Sequence, residues 1–227
     1  MWAICDRFNS GIGGKNRNSG NERPIVSMII GGLRKFSLID YPGKVAAVIF
    51  TQGCNFRCGY CHNPGLVDPR RFGTPLSEEE VFQFLRRRQG QLQGVVVSGG
   101  EPTIHRDLEE WLRRIRDLGY AVKLDTNGGR PDVVRRLLNE RLLDYIAMDV
   151  KAPLGKYALL TEGRDYSSQI QESIHLIQTS GIDYQFRTTV VPQLLDREDL
   201  RHIRELVNDD PHYCLQPFVG DGELLRK

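Results

Sequence analysis

The chain has 227 residues, with 31 Lys and Arg against 29 Asp and Glu, and five cysteines. This length predicts one domain with a sizeable core, and a formal charge of +2 does not favour binding to nucleic acid or to a membrane surface. No apolar run approaches the length of a bilayer span, and an odd number of cysteines argues against a disulfide framework.

Residues 1–27 read differently from the rest of the chain. They are rich in Gly and Asn and have no periodic apolar face, so we expect a disordered tail. Asp6 and Arg7 stand where a secretory signal would need apolar residues, which predicts a cytoplasmic protein with reduced thiols. Cys5 lies in this tail and receives no role. The folded domain is predicted to span residues 28–227.

From Ile29 onward, short apolar runs alternate with amphipathic helical patterns. Ser77 and Glu80 form a capping-box signature, Gly119 ends one helical pattern, and Pro131 begins another. The predicted strands are Val45–Phe50, Val95–Ser98, Val122–Asp125, Tyr145–Asp149, Tyr184–Val190 and Tyr213–Gln216.

Repeated strand–helix units favour a parallel sheet with right-handed crossovers. A complete eight-stranded barrel usually takes about 250 residues, and this chain has room for about six units. We therefore predict an α/β fold, a partial and open (β/α)6 TIM-type barrel with parallel strands. Functional side chains of such sheets gather at the carboxyl ends of the strands.

Three cysteines follow the first predicted strand with the spacing C-x₃-C-x₂-C: Cys54, Cys58 and Cys61. Thiolates are the usual ligands of iron–sulfur clusters, and three of them hold three corners of a cubane cluster, which leaves one iron open to a substrate. A Cys₃His zinc site that includes His62 is the alternative. Because Cys61 and His62 are adjacent, joint tetrahedral ligation of one ion is awkward, so we favour the cluster.

Polar residues follow the second and third predicted strands. Gly99 and Gly100 allow close backbone approach to a ligand, although a Gly-Gly turn also simply connects a strand to a helix. Glu101 is a candidate ligand contact or a solvated turn residue. Asp125 offers an acceptor for a ligand ammonium group, within a sequence that is also ordinary turn chemistry.

The fourth and fifth predicted strands add charges to the same edge. Alternation places Asp149 and Lys151 on one side of their strand, where a carboxylate suits ribose hydroxyls and an ammonium group suits a ligand carboxylate. A structural ion pair is the alternative. Arg187 either reaches the ligand or pairs with Asp149 or Glu101. Tyr60 offers an aromatic surface for a base, or packs the loop.

With these residues, the chain from Met28 onward resembles the radical S-adenosylmethionine (SAM) superfamily. Closer motifs resemble the activases of glycyl-radical enzymes, in particular the activating protein of anaerobic ribonucleoside-triphosphate reductase, with pyruvate formate-lyase-activating enzyme as a sibling. The motifs that carry this resemblance are Cys61-His62-Asn63-Pro64, Asp40-Tyr41-Pro42-Gly43, Asp125-Thr126-Asn127-Gly128 and Asp149-Val150-Lys151.

The resemblance implies a [4Fe–4S] cluster on Cys54, Cys58 and Cys61, with SAM as co-substrate. Reductive cleavage of SAM would give a 5′-deoxyadenosyl radical that takes hydrogen from a glycine of the partner enzyme. A reduced flavodoxin or ferredoxin would supply the electron. The other predicted contacts to SAM are Tyr60, Cys61 and His62 along the adenine, Gly99, Gly100 and Asp125 near the amine, and Asp149 and Lys151 near ribose and carboxylate. Glu101 and Arg187 are further candidates for the cofactor site.

Two other hypotheses remain open at this point. One is a radical SAM enzyme for a small molecule, such as a carboxy-deazaguanine synthase, which would need a closed pocket where an activase needs an open face. The other is a non-catalytic zinc-binding module, which metal analysis would separate from a cluster of about four irons.

Overall fold

The computed structural model describes residues 28–219. The predicted tail, with Cys5, and residues 220–227 lie outside the described residues. No helix between Met28 and Val219 is long and apolar enough to span a membrane.

A single seven-stranded sheet with the order β1-β2-β3-β4-β5-β6-β7 forms the centre of the described chain. The first two strands are antiparallel, and the remaining neighbours are parallel. The strands are β1 (Ile30–Ser37), β2 (Ala46–Thr51), β3 (Gly94–Gly99), β4 (Ala121–Thr126), β5 (Tyr145–Asp149), β6 (Asp183–Val190) and β7 (Tyr213–Pro217).

Six α-helices connect the strands or flank them in the described range: α1 (Pro64–Val67), α2 (Glu78–Arg87), α3 (Leu108–Asp117), α4 (Pro131–Asn139), α5 (Ser167–Gln178) and α6 (Arg197–Leu206). The predicted capping box at α2 is confirmed, because Ser77 Oγ accepts from the Glu80 N–H at 3.2 Å and Glu80 Oε2 accepts from the Ser77 N–H at 2.9 Å. Pro131 begins α4 as predicted, and three 3-10 helices cover Pro69–Arg71, Pro102–Ile104 and Leu154–Leu159.

The two faces of the sheet bury different side chains. One face packs against the helices in a large apolar core that includes Ile49, Val97 and Leu124. The opposite face carries a small apolar cluster that includes Val48 and Val96. Because side chains alternate along a strand, this second face also carries polar residues nearer the carboxyl ends of the strands.

The predicted fold class is confirmed: the strands from β2 to β7 are parallel and helices connect them in an open sheet. One strand was not predicted. β1 has the sequence Ile-Gly-Gly-Leu-Arg-Lys-Phe-Ser. Its glycines and charged residues leave no apolar run of the kind that predicts the other strands. It forms the antiparallel edge of the sheet beside β2.

Candidate active site

A cavity of about 390 Å³ lies at the carboxyl ends of the parallel strands. This volume lies in the usual range for small-ligand sites. The residues predicted as cluster ligands or as SAM contacts all line this cavity: Cys54, Cys58, Tyr60, Cys61, His62, Gly99, Gly100, Glu101, Asp125, Asp149, Lys151 and Arg187.

The loop that carries the cysteines is fixed by backbone contacts and aromatic packing. Arg57 Nη1 donates to the carbonyls of Cys54 and Phe56 at 2.6 and 2.9 Å. The Arg57 N–H donates to the Leu160 carbonyl at 2.7 Å, and the buried Phe56 ring packs edge-on against Tyr166 with centroids 5.0 Å apart. The loop is therefore positioned by the body of the domain.

The thiol groups of this loop are buried or half-buried. Burial raises the pKa of Cys54 to about 12, with a further contribution from the Glu101 carboxylate, and burial raises the pKa of Cys58 and Cys61. A metal deprotonates the thiols that coordinate it, so metal loading at this loop would release protons. Among residues 28–219, no three His, Cys, Asp or Glu side chains converge where one metal ion could be held.

Gly99 and Gly100 are required by a close approach of two backbone segments. A Cβ at Gly99 would lie 2.2 Å from the Thr51 nitrogen, and one at Gly100 would lie 2.0 Å from the Gly53 carbonyl oxygen. The Gly100 N–H donates to the Thr51 carbonyl at 2.9 Å, and the Glu101 N–H donates to the Gly53 carbonyl at 2.8 Å. The glycines thus seat this turn directly against the start of the cysteine loop.

Glu101 is a buried hydrogen-bond acceptor and not a solvated turn residue, since only 1% of it is exposed. Its Oε1 accepts from the N–H and hydroxyl of Thr103 at 3.0 and 2.5 Å and from the Thr126 hydroxyl at 2.8 Å. Its Oε2 accepts from the Asn127 N–H at 2.6 Å. Burial raises the pKa of Glu101, and these hydrogen bonds oppose that shift. The carboxylate joins the turn after β3 to the turn after β4.

Asp125 is already engaged by protein groups. Its Oδ1 accepts from Lys123 Nζ at 2.5 Å and its Oδ2 from the Ser98 hydroxyl at 3.2 Å. Arg187 Nη1 lies 3.7 Å from the same Oδ2. A ligand ammonium group at Asp125 would therefore share the carboxylate with these donors.

Asp149 lies between two cations. Arg187 Nε donates to its Oδ1 at 2.9 Å and Lys151 Nζ to its Oδ2 at 3.1 Å. Burial opposes the charged carboxylate, but Arg187 and Lys151 outweigh it and hold the pKa of Asp149 well below its usual range. Burial likewise opposes charge on Lys151, and Asp149 outweighs it and raises the pKa of Lys151. The site thus holds charged groups of both signs, as a zwitterionic ligand requires.

Tyr60 and His62, on either side of Cys61, both contact the Phe218 ring. The Tyr60 hydroxyl donates to the Lys151 carbonyl at 3.5 Å, and Tyr60 is buried while His62 is exposed. The Phe218 ring stacks on His62 with centroids 5.3 Å apart and 22° between planes. It packs edge-on against Tyr60 with ring centroids 6.4 Å apart, so the residue after β7 packs against the end of the cysteine loop.

Sequence reasoning missed three residues at this site. Lys123 is 3% exposed and pairs with Asp125, the same i, i+2 relation that singled out Asp149 and Lys151. Asn127 lies within a quoted motif but received no role, and no local pattern marked Phe218. Cys214 on β7, predicted as a buried apolar residue, is half-buried and does not line the cavity.

Comparison with known proteins assigns the family. The sequence profile of the radical SAM superfamily matches residues 48–209. A protein of Methanocaldococcus jannaschii provisionally named a glycyl-radical enzyme activating enzyme is 36% identical over 198 residues, which are 85% of this chain and 81% of the relative. A protein of Pyrococcus horikoshii provisionally named GTP 3′,8-cyclase is 33% identical over 188 residues, 81% of this chain and 56% of that protein.

Among solved structures, Streptococcus suis SuiB bound to S-adenosylmethionine superposes with a TM-score of 0.60 at 15% identity, covering 76% of this chain and 40% of SuiB. That likeness concerns the fold. The profile match covers more than half of the chain, and the chain therefore belongs to the radical SAM superfamily, enzymes that use a [4Fe–4S] cluster and S-adenosylmethionine.

Proposed function

We propose that this enzyme activates a glycyl-radical enzyme by removing one hydrogen atom from a glycine Cα of its partner, and that the partner is the anaerobic ribonucleoside-triphosphate reductase. A reduced flavodoxin or ferredoxin is the proposed electron donor. The M. jannaschii relative supports the activase class, and the motifs around Asp40 and Cys61 support the reductase.

The residues at the cavity fit a [4Fe–4S] cluster. Cys54, Cys58 and Cys61 line the cavity, and a cubane offers each thiolate a different iron, so the three need not converge on one point. Cys54 Sγ accepts from the Phe56 N–H at 3.3 Å, and hydrogen bonds to cluster sulfurs are a feature of such sites. When bound, the cluster supplies the electron that cleaves the sulfonium of SAM.

The remaining residues would bind and orient SAM. Lys151 would contact the ligand carboxylate, since an ammonium group forms charge-assisted hydrogen bonds with it. Asp149 would accept from the ribose hydroxyls and is held in place by Arg187. Asp125 would accept from the amine. The backbone of Gly99 and Gly100, with Glu101 fixing their turn, would lie near the same group, and Tyr60, Cys61 and His62 would lie along the adenine.

The observation that carries the activase proposal is an exposed apolar segment beside the cavity. Arg34 and Asp40, an ion pair at 3.0 Å, line the cavity, and the residues between them include Phe36, Leu38 and Ile39, which are 58%, 64% and 84% exposed. Clustered exposed apolar side chains mark protein-binding surfaces. A glycine loop of a partner protein would meet this segment before it reaches the site.

The test is an anaerobic activation assay. Adding this enzyme, dithionite and SAM to the reductase should give the doublet electron paramagnetic resonance signal of a glycyl radical, and Cys58→Ala should abolish it. A signal with pyruvate formate-lyase and none with the reductase would assign the sibling partner. A signal with neither partner would refute both named partners and leave either another glycyl-radical enzyme or a small-molecule radical SAM enzyme, the class to which the P. horikoshii relative points.

A matched pair of variants tests the docking segment. Ile39→Asp should lower the yield of glycyl radical while SAM cleavage without partner stays at the wild-type rate. Leu159 is 55% exposed and does not line the cavity, so Leu159→Asp should change neither the yield of glycyl radical nor the rate of SAM cleavage. Equal radical yields from both variants would remove the segment from the binding surface.

A further inference from the structure

The side chain of Asn127 points at the sulfur of Cys54. Its Nδ2 donates to Cys54 Sγ at 3.7 Å and to Asn55 Oδ1 at 2.9 Å. Asn127 is buried, so water does not compete for its amide protons. Between Met28 and Val219, the other hydrogen bonds of Cys54 Sγ involve Asn55 and Phe56, whereas Asn127 is 73 positions away in sequence.

The orientation of this amide is fixed by the protein. Asn127 Oδ1 accepts from the Gly129 N–H at 2.8 Å, so the opposite end of the amide, Nδ2, must face Asn55 and Cys54. The Asn127 backbone N–H is in turn held by Glu101 Oε2 at 2.6 Å. Both ends of the residue are therefore anchored, and its position does not depend on a ligand.

Asn55 helps to hold the Asn127 amide in this orientation. Its Nδ2 is buried and has no hydrogen-bond partner among the described residues, while its Oδ1 is the acceptor that holds Asn127. Asn55 lies within the cysteine loop, between Cys54 and Cys58, so Asn127 Nδ2 connects the turn after β4 to this loop.

We propose that Asn127 is a positioning residue that sets the reduction potential of the cluster through its hydrogen bond to Cys54. Reduction adds negative charge to the cluster and its thiolates, so an N–H donor at sulfur stabilises the reduced form. The turn after β4 therefore makes the cluster easier to reduce. This inference rests on the cluster, which the family assigns, and not on the identity of the partner enzyme.

The experiment is a redox titration of the cluster-loaded enzyme followed by electron paramagnetic resonance, with iron content measured first. Asn127→Ala removes the donor. Asn127→Asp keeps the shape and the acceptor for the Gly129 N–H but places a carboxylate oxygen at sulfur. At a fixed applied potential, the ratio of reduced to oxidised cluster should fall about tenfold in the alanine variant, which is about 59 mV for one electron, and further in the aspartate variant.

Asn139→Ala is the matched control, since it makes the same substitution at an exposed asparagine that does not line the cavity. Its potential should stay at the wild-type value. A potential that is unchanged or higher in both Asn127 variants would overturn the inference. So would failure of both to bind about four irons, because Asn127 would then be needed for assembly. Because these readouts use no partner protein, a negative activation assay does not affect them.

Discussion

Gly100→Ala should destabilise the domain strongly, although it adds a single methyl group. The new Cβ would lie 2.0 Å from the Gly53 carbonyl oxygen and 3.2 Å from that of Leu66, both backbone atoms. Relief requires a shift of about 1 Å between two segments that hydrogen bonds from the Gly100 and Glu101 N–H groups hold together. Overpacking costs about 1–3 kcal/mol, and weakening each hydrogen bond costs about 1 kcal/mol.

The expected loss of unfolding free energy is therefore about 4 kcal/mol, or a melting temperature lower by about 8–16 °C for a domain of this size. Circular dichroism of anaerobic protein measures it, and iron content should fall because the cysteine loop moves. Gly155→Ala is the control, because a Cβ there meets nothing within 4 Å, and it should melt near the wild-type temperature. A Gly100→Ala protein that melts within about 2 °C of wild type, with full iron content, would refute this reading of the turn.

Three further predictions concern the charged and aromatic walls of the cavity. Lys151→Met should raise the dissociation constant for SAM about 10–100-fold, because a charged hydrogen bond is lost. Anaerobic calorimetry at constant iron content measures this constant, and an unchanged value would remove Lys151 from the carboxylate site. Because the pKa of Asp149 is lowered in the folded state, its ionised carboxylate contributes to the free energy of unfolding. This contribution is present above the ordinary pKa of about 3.9 and is lost as pH falls through the folded value. Denaturant unfolding from about pH 6 to about pH 3 should therefore show a steeper loss in wild type than in Asp149→Asn, and parallel curves would contradict the assignment. Phe218→Ala should lower the melting temperature by about 2–4 °C, since an aromatic pair contributes about 1 kcal/mol, and no change would mean that the His62 contact is dispensable.

The parallel strands could be predicted because a strand buried on both faces reads as an apolar run. Tyr145–Asp149 was predicted with its observed ends, and Val45–Phe50 is shifted by one residue. β1 lies at the edge of the sheet and has exposed Arg34, Lys35 and Phe36, so its burial pattern carries no such signal. Its pairing with β2 is a tertiary contact that local propensity does not encode.

The location of the candidate site could be predicted for a similar reason, since parallel strands place their carboxyl ends at one edge. What each side chain does there could not. The acceptor capacity of Glu101 is taken up by Thr126 and Asn127, which are 25 and 26 positions away in sequence. Whether a carboxylate at a strand end is free for a ligand depends on such distant donors, and only the folded chain shows them.

The buried carboxylate of Glu101 also links affinity to stability. It clamps the turns after β3 and β4 to each other and, through Asn127, to the cysteine loop. The entropy of ordering these three segments is thus lost when the chain folds, before any ligand arrives. A ligand that binds at either turn therefore meets groups that are already in place, and a substitution that releases the Glu101 clamp should lower stability and ligand affinity together.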